Sequence, residues 1–213
     1  MKLTKWTHAC VTFEKDSGKL VVDPGAFSET DAALAGANAI LVTHEHADHL
    51  QADAVRTALS ADPSLTLHAP ESVAAQFAEF GDRVTAVAGG AAFDVAGFSI
   101  RAFGDQHAVI HPRIPVIANV GYLVDDEVFH PGDSFTVPEA PVKTLLLPVS
   151  APWAKASETI DYAVAVRASL SLPIHEAVFS DFAQALVNGL VEQTLGGFGC
   201  GYDVVAAGSS LDL

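Results

Sequence analysis

Apolar positions along the chain gather into short runs cut by turn residues, and several of the intervening stretches carry helical spacing. Residues 3 to 13 and 19 to 22 read as strands joined at Asp16-Ser17-Gly18, and Asp23-Pro24-Gly25 ends the second with turn chemistry. Ala39-Ile40-Leu41-Val42 is an unbroken apolar run, the mark of a buried strand. Asp53 to Ser60 has helical spacing, and Leu65-Thr66-Leu67-His68 reads as a short strand closed by Pro70. A helix is expected from Glu71 to Phe80, with Gly81 as its stop. Short strands follow around 84–87, 92–95 and 98–103, punctuated by Gly89-Gly90 and Gly97. Residues 116 to 124 and 127 to 130 alternate as a second hairpin, and Leu145-Leu146-Leu147 is another buried strand. Ser157 can cap a helix reaching about Ser169; a strand at 172–174, a helix at 182–193 and a last strand at 202–206 complete the pattern. There is no Pro/Ser-rich linker and no short repeat. The order predicts one domain over residues 1–213, with two β-sheets packed together and helices outside, a four-layer α/β architecture.

One polar stretch breaks this pattern. Directly after the apolar run at 39–42 comes Thr43-His44-Glu45-His46-Ala47-Asp48-His49-Leu50, with three histidines and an aspartate inside six positions. Loops at strand ends are where α/β proteins hold ligands. Imidazole beside carboxylate suits zinc, manganese or iron. His44 and His46, two apart on extended backbone, project to the same side and can share one ion. Asp48 and His49 come after the turn and could face a second. A solvated His-rich loop or an expression tag fits poorly, because the cluster is internal and follows a buried strand.

Composition narrows the partners. Half of the 213 residues are hydrophobic and 17% are charged, so the chain can bury a core and is not disordered. Eleven basic against 26 acidic residues give a formal charge of −15, a field that repels nucleic acid and anionic membrane surfaces. A small-molecule substrate is expected, with no nucleic acid and no membrane as partner, and the chain acting as a monomer or homo-oligomer. The start, Met1 to His8, has no continuous apolar segment of a secretory signal, no run is long enough to cross a bilayer, and Cys10 and Cys200 form no close-spaced motif. A cytoplasmic location is the expectation.

Three further candidates end apparent strands: His107, after Ile100 to Gln106; Asp133, in His130-Pro131-Gly132-Asp133-Ser134; and His175, after Leu172-Pro173-Ile174. Singly, each reads as a hydrogen-bonded histidine or a turn aspartate. Recurring after successive strands behind the 44–49 cluster, they read as additional ligands.

These residues, with Asp23-Pro24-Gly25, resemble the metallo-β-lactamase-fold hydrolase superfamily in identity and order. Asn119 to Tyr122, the His-Pro-Gly-Asp-Ser run and Leu147 to Trp153 are similar to a small bacterial branch that includes ascorbate-6-phosphate-lactonase-like proteins. The resemblance implies an αββα sandwich with two metal ions at one edge. It assigns His44, His46 and His107 to the first ion, Asp48, His49 and His175 to the second, and Asp133 to both. Two ions about 3.5–4 Å apart can share a hydroxide, stabilise a developing oxyanion and leave coordination open for water. Asp48 is then also the residue expected to orient or deprotonate the attacking water. Asp23 is expected either to fix a ligand's tautomer or to be a turn residue.

Departures from the pattern limit the function. The best-known zinc β-lactamases place cysteine at a second-site ligand position and carry an export signal, so antibiotic hydrolysis is not expected. His46 stands where flavodiiron oxidoreductases have glutamate, RNA-processing members need more chain and less negative charge, and little chain follows residue 195 for the helical region of a glyoxalase-II-type thioesterase. The expectation is a metal-dependent hydrolase of a small ester, lactone or similar substrate, with zinc as the first choice of cofactor. The alternatives are a phosphodiesterase for a lipid-like or nucleotide substrate, a metal-binding scaffold without turnover, and an oxidative dinuclear-iron enzyme. His111 reads either as a substrate contact or as a replacement for His107, with His107 preferred because it ends its strand. Trp153 and Lys155 are further candidate substrate contacts, with packing and solvation as their alternatives. His8, His68 and His130 are read as structural, although His8 could lie near the site.

Overall fold

In the computed structural model, which describes residues 1–16 and 18–213, the apolar runs become the strands of two seven-stranded sheets. The first holds β1 (Lys2–Lys5), β2 (Val11–Lys15), β3 (Gly18–Val22), β4 (Ala39–Leu41), β5 (Thr66–Ala69) and β6 (Val84–Ala86), side by side in that order. The second holds β7 (Ala92–Val95), β8 (Phe98–Phe103), β9 (Gly121–Val124), β10 (Val128–His130), β11 (Thr144–Pro148), β12 (Leu170–Ile174) and β13 (Gly201–Tyr202), again as sequence neighbours. β14 (Ser210–Asp212) returns to the first sheet and pairs antiparallel with β1.

The period-2 alternation of each strand sorts its side chains between two apolar layers. Leu20, Val22 and Leu41 face the second sheet and meet Phe98, Ile100, Tyr122, Leu146 and Leu172. Val21 and Ile40 face outward, where Leu34, Val55, Leu59 and Phe77 cover them from α1 (Thr30–Leu34), α2 (Ala52–Ala61) and the segment after α3 (Glu71–Ala74). On the other outer face Leu145 and Leu147 pack under Tyr162, Ala163, Val191 and Leu195 of α4 (Ala156–Val166) and α5 (Asp181–Gly196). Strands buried on both faces are why Ala39–Val42 and Leu145–Leu147 show no polar alternation. Each such Leu or Phe, fully withdrawn from water, contributes ~1.5–3 kcal/mol. The result is the expected αββα sandwich.

Local expectations needed revision in several places. The stretch 3–13 is two strands, with β1 and β2 forming a hairpin closed by the Trp6 N–H donating to the Cys10 carbonyl at 3.0 Å. Ser17, in the expected turn between β2 and β3, lies outside the described residues. The helix expected to Phe80 keeps α geometry only over Glu71–Ala74. It continues to Arg83 as tighter turns broken at Phe77 and at Gly81, whose φ is +58°. The ladder expected over 116–124 is continuous only from Gly121; before it Ala118 makes an isolated antiparallel bridge to Gln106, and the Val120 N–H turns to the Thr43 carbonyl of the facing sheet's loop. The last expected strand stops at Tyr202, while α1 and β14 were not anticipated. No helix among the described residues is long and apolar enough to cross a membrane.

The pairings also fix where strands end. β1, β3 and β4 run one way in their sheet, as do β8, β10, β11 and β12 in theirs. Their C-terminal ends deliver His8, Asp23, His44 to His49, His107, Asp133 and His175 to one edge of the sandwich.

Candidate metal centre

Close backbone approach builds this edge. A Cβ on Gly25 would overlap the Asp48 carbonyl, so only glycine lets the Asp23-Pro24-Gly25 turn pass against the 44–49 loop. Gly132, at φ +62°, presses on Thr43 and Asn119 in the same way. Asn119 then fixes the Asp133 loop, accepting from the Asp133 N–H at 3.0 Å and donating to the Pro131 carbonyl at 2.9 Å. Three non-glycine residues at this edge sit in the left-handed region: His8 (φ +65°), Asp23 (+51°) and His175 (+68°). Such conformations cost of order 1–3 kcal/mol each and persist where surrounding contacts over-determine them.

Two groups of side chains converge. His44, His46, His107 and Asp133 offer ligand atoms all within 4.8 Å of one another, and so do His8, Asp48, His49 and His175. Asp133 lies between the groups. Its Oδ2 is 3.2 Å from His107 Nε2 and 3.9 Å from His44 Nε2, while its Oδ1 is 3.0 Å from His49 Nε2 and 3.2 Å from His175 Nε2. Asp48 Oδ2 is 3.5 Å from His175 Nε2 and 3.2 Å from His8 Nε2. His46 and Asp48 are half-buried and form the open side; the other members of both groups are buried.

Hydrogen bonds on the far side of each ring test whether these groups suit a cation. His107 Nδ1 donates to the Ala108 carbonyl at 2.6 Å and His175 Nδ1 donates to the Ser150 carbonyl. His49 Nδ1 donates to Asp23 Oδ2 at 2.7 Å. His44 Nδ1 is 2.9 Å from Thr43 Oγ1, which passes its own proton to Asp23 Oδ2 at 2.7 Å. Carbonyls and a carboxylate only accept, so each Nδ1 carries the proton and each neutral ring keeps its Nε2 lone pair facing inward. His49 Nε2, His175 Nε2 and Asp133 Oδ1 find no hydrogen-bond partner among the described residues, although they lie 3.0–3.2 Å apart. Each nitrogen is close to Asp133 Oδ1, yet none of these contacts meets hydrogen-bond geometry. Buried polar atoms left this way are costly in a native protein, and a divalent cation would satisfy all three. The donor set fits.

Charge follows the same plan. Burial pushes His44 well below the usual imidazole range, with neighbouring rings adding to the effect, and lowers His46 as well. Burial also disfavours charge on His49, but Asp133 and Asp23 on either side outweigh it and hold its proton well above the usual value. Burial raises Asp133 and Asp48, yet the surrounding imidazoles prevail. Asp133 falls well below the usual carboxylate range, and Asp48 drops to about 2 through the His8 hydrogen bond, His49 and His175.

The remaining sequence candidates separate. Asp23 sits beneath the centre, accepting from the Thr43 N–H at 2.7 Å, from Thr43 Oγ1 and from His49. Trp153 is buried, and its Nε1 donates to Asp133 Oδ2 at 3.0 Å, so it braces that carboxylate. Lys155 points to solvent, 3.5 Å from Glu158 at the start of α4. His111 is exposed, its Nδ1 accepting from the Arg113 N–H, and belongs to neither group. His130 is a strut, donating from Nε2 to the Ala9 carbonyl at 2.8 Å, and His68 stacks on Phe93 far from both groups. His8, read as structural, is buried and hydrogen-bonded but lies inside the second group; its position after a strand was the available signal.

Comparison with known proteins agrees with this geometry. The family described as beta-lactamase superfamily domain matches residues 2–175. Protein Rv0786c of Mycobacterium tuberculosis is 40% identical over 200 residues, covering 91% of this chain and 93% of its own length. Among solved structures, Igni18, a metallo hydrolase from the archaeon Ignicoccus hospitalis, superposes with a TM-score of 0.75 at 17% identity, over 99% of this chain and 97% of that one. The metallo-beta-lactamase fold protein YhfI of Bacillus subtilis superposes at 0.74 with 15% identity, over 99% and 98%. The chain therefore belongs to the β-lactamase superfamily and has the metallo-β-lactamase fold.

Proposed function

We propose that this chain is a metal-dependent hydrolase of a small ester or lactone, with two divalent ions as cofactor, zinc first and manganese or iron as alternatives. The observation that carries the proposal is the convergence of five histidines and two aspartates, His44, His46, Asp48, His49, His107, Asp133 and His175, with four rings anchored through Nδ1 so that Nε2 turns inward. When bound, such a pair of ions supplies water of near-neutral pKa and Lewis acidity toward the oxygen under attack.

The chain's own residues do the rest. His44, His46 and His107 would hold the first ion, Asp48, His49 and His175 the second, with Asp133 shared. Asp48, ionised at neutral pH and half-buried on the open side, would accept a hydrogen bond from an attacking water and orient it. Trp153 and Asn119 keep Asp133 from turning away. The −15 charge disfavours a polyanionic substrate and leaves small molecules as the class.

Protein loaded with zinc or manganese should hydrolyse members of a panel of lactones, esters, thioesters and phosphodiesters, and Asp48→Asn should abolish that turnover. Turnover of lactones would support the ascorbate-6-phosphate-lactonase-like branch. Turnover of phosphodiesters alone would move the substrate class, and inactivity across the panel in metal-replete protein would leave a binding scaffold.

A further inference from the structure

We infer that His8 is a positioning residue that holds Asp48 in place, and that it is not a metal ligand although it lies within ligand distance of the second group. The inference rests on reading the two groups as a metal centre. Its basis is a reversal of hydrogen-bond polarity. At His44, His49, His107 and His175 the outer nitrogen donates, which leaves Nε2 free. At His8 the outer nitrogen accepts: the Ala177 N–H donates to His8 Nδ1 at 3.3 Å. A backbone N–H cannot reverse its role, so the neutral His8 ring carries its proton on Nε2. That Nε2–H points at Asp48 Oδ2, 3.2 Å away.

A ligand count agrees. With Asp133 shared, Asp48, His49 and His175 already give the second ion four protein ligands, and a fifth would close the position that a reacting water needs. His8 Nε2 reaches Asp48 Oδ2 from one side, and His175 Nε2 lies 3.5 Å from the same oxygen, so the proton on His8 fixes the carboxylate beside the ligand nitrogens.

The backbone around His8 is built to keep it there. Its N–H donates to Glu176 Oε1 at 3.0 Å, and its carbonyl accepts from Lys5 Nζ at 3.0 Å and from the His175 N–H at 3.2 Å. Lys5 Nζ also pairs with Glu176 Oε1 at 2.8 Å and donates to the Trp6 carbonyl. Lys5 is 2% exposed, so this is a buried cation satisfied on three sides. The network holds His8 at φ +65° and ties the end of β1 to the end of β12, beside His175. Strain and a buried ion pair are thus concentrated on one ring whose partner is Asp48.

Two experiments on the full-length protein test the assignment. Long-range proton–nitrogen NMR of the zinc-loaded, nitrogen-labelled chain, with His8 assigned by its loss in His8→Gln, should show a protonated Nε2 and a bare Nδ1 at His8. A metal-bound Nε2 at His8 overturns the inference. Second, zinc affinity by chelator competition should fall ~10- to 100-fold at the second ion in His8→Phe, with the first ion retained as a check on folding. His8→Gln, whose amide can still donate to Asp48, should recover most of that loss. Saturated His8→Phe should still hold two ions, and its cobalt form should keep the visible spectrum of the wild type, whereas His175→Ala should hold one. Loss of the second ion in both His8 variants makes His8 a ligand, and wild-type affinity in His8→Phe removes its role; either result overturns the inference. A wild-type chain that never takes up a second ion overturns the metal-centre reading as well.

Discussion

Replacing Asp23 by asparagine should disable the second ion's site without touching a proposed ligand. Asp23 is buried at φ +51°, a conformation asparagine tolerates well, so the backbone can stay where it is. The carboxylate accepts from the Thr43 N–H at Oδ1, and from Thr43 Oγ1 and His49 Nδ1 at Oδ2, each at 2.7 Å. Asparagine has one accepting oxygen, and the Thr43 N–H, which can only donate, must take it. The amide NH2 then faces His49 Nδ1, which must become an acceptor. The proton moves to Nε2, and the lone pair meant for the ion becomes an N–H aimed at Asp133 Oδ1. Losing one hydrogen bond to a charged group costs ~1.5–3 kcal/mol, roughly tenfold to a hundredfold in affinity for the second ion. Chelator competition with zinc reads this directly: the first ion's affinity should be unchanged and the second's reduced by that factor. Second-ion affinity in Asp23→Asn equal to that of the wild type would refute the tautomer reasoning.

Asp133→Ala should lose at least one ion and nearly all activity, since its two oxygens face the two groups separately; normal metal content and turnover would remove its shared role. His68→Ala should leave metal stoichiometry unchanged in elemental analysis, because His68 contacts Phe93 and Thr66 and neither group. Second-ion affinity should rise with pH. Asp133 and Asp23 hold the His49 proton well above the usual imidazole range, so at neutral pH the metal-free ring is protonated and the ion must displace that proton. One proton released per ion bound gives about a tenfold gain per pH unit, measured by titrating zinc at several pH values below the raised His49 value. A flat profile would contradict it.

Much of this was legible in the sequence, for physical reasons. Strands buried on both faces must be apolar throughout, so Ala39–Val42 and Leu145–Leu147 announced themselves. Sandwich sheets deliver ligands at strand ends, so a histidine or aspartate closing an apolar run was worth attention at His44, His107, Asp133 and His175. What stayed hidden depends on long-range partners. Nothing near Trp6 to Cys10 marks a hairpin: there is no glycine or proline, and the turn is held by Glu176, 168 positions from His8. Forty positions of chain likewise concealed the link from His8 to Asp48. The contact of Trp153 Nε1 with Asp133 was hidden in the same way, because its partner lies 20 residues back. α1 and β14, at five and three residues, are too short to show a period.

The most direct measurement is elemental analysis of the purified wild-type chain after dialysis against zinc or manganese and removal of free metal. Two ions per chain are predicted, falling to one or none in Asp133→Ala. A wild-type chain that binds no ion under either condition, while remaining folded, would contradict the assignment of these converging side chains as a metal centre.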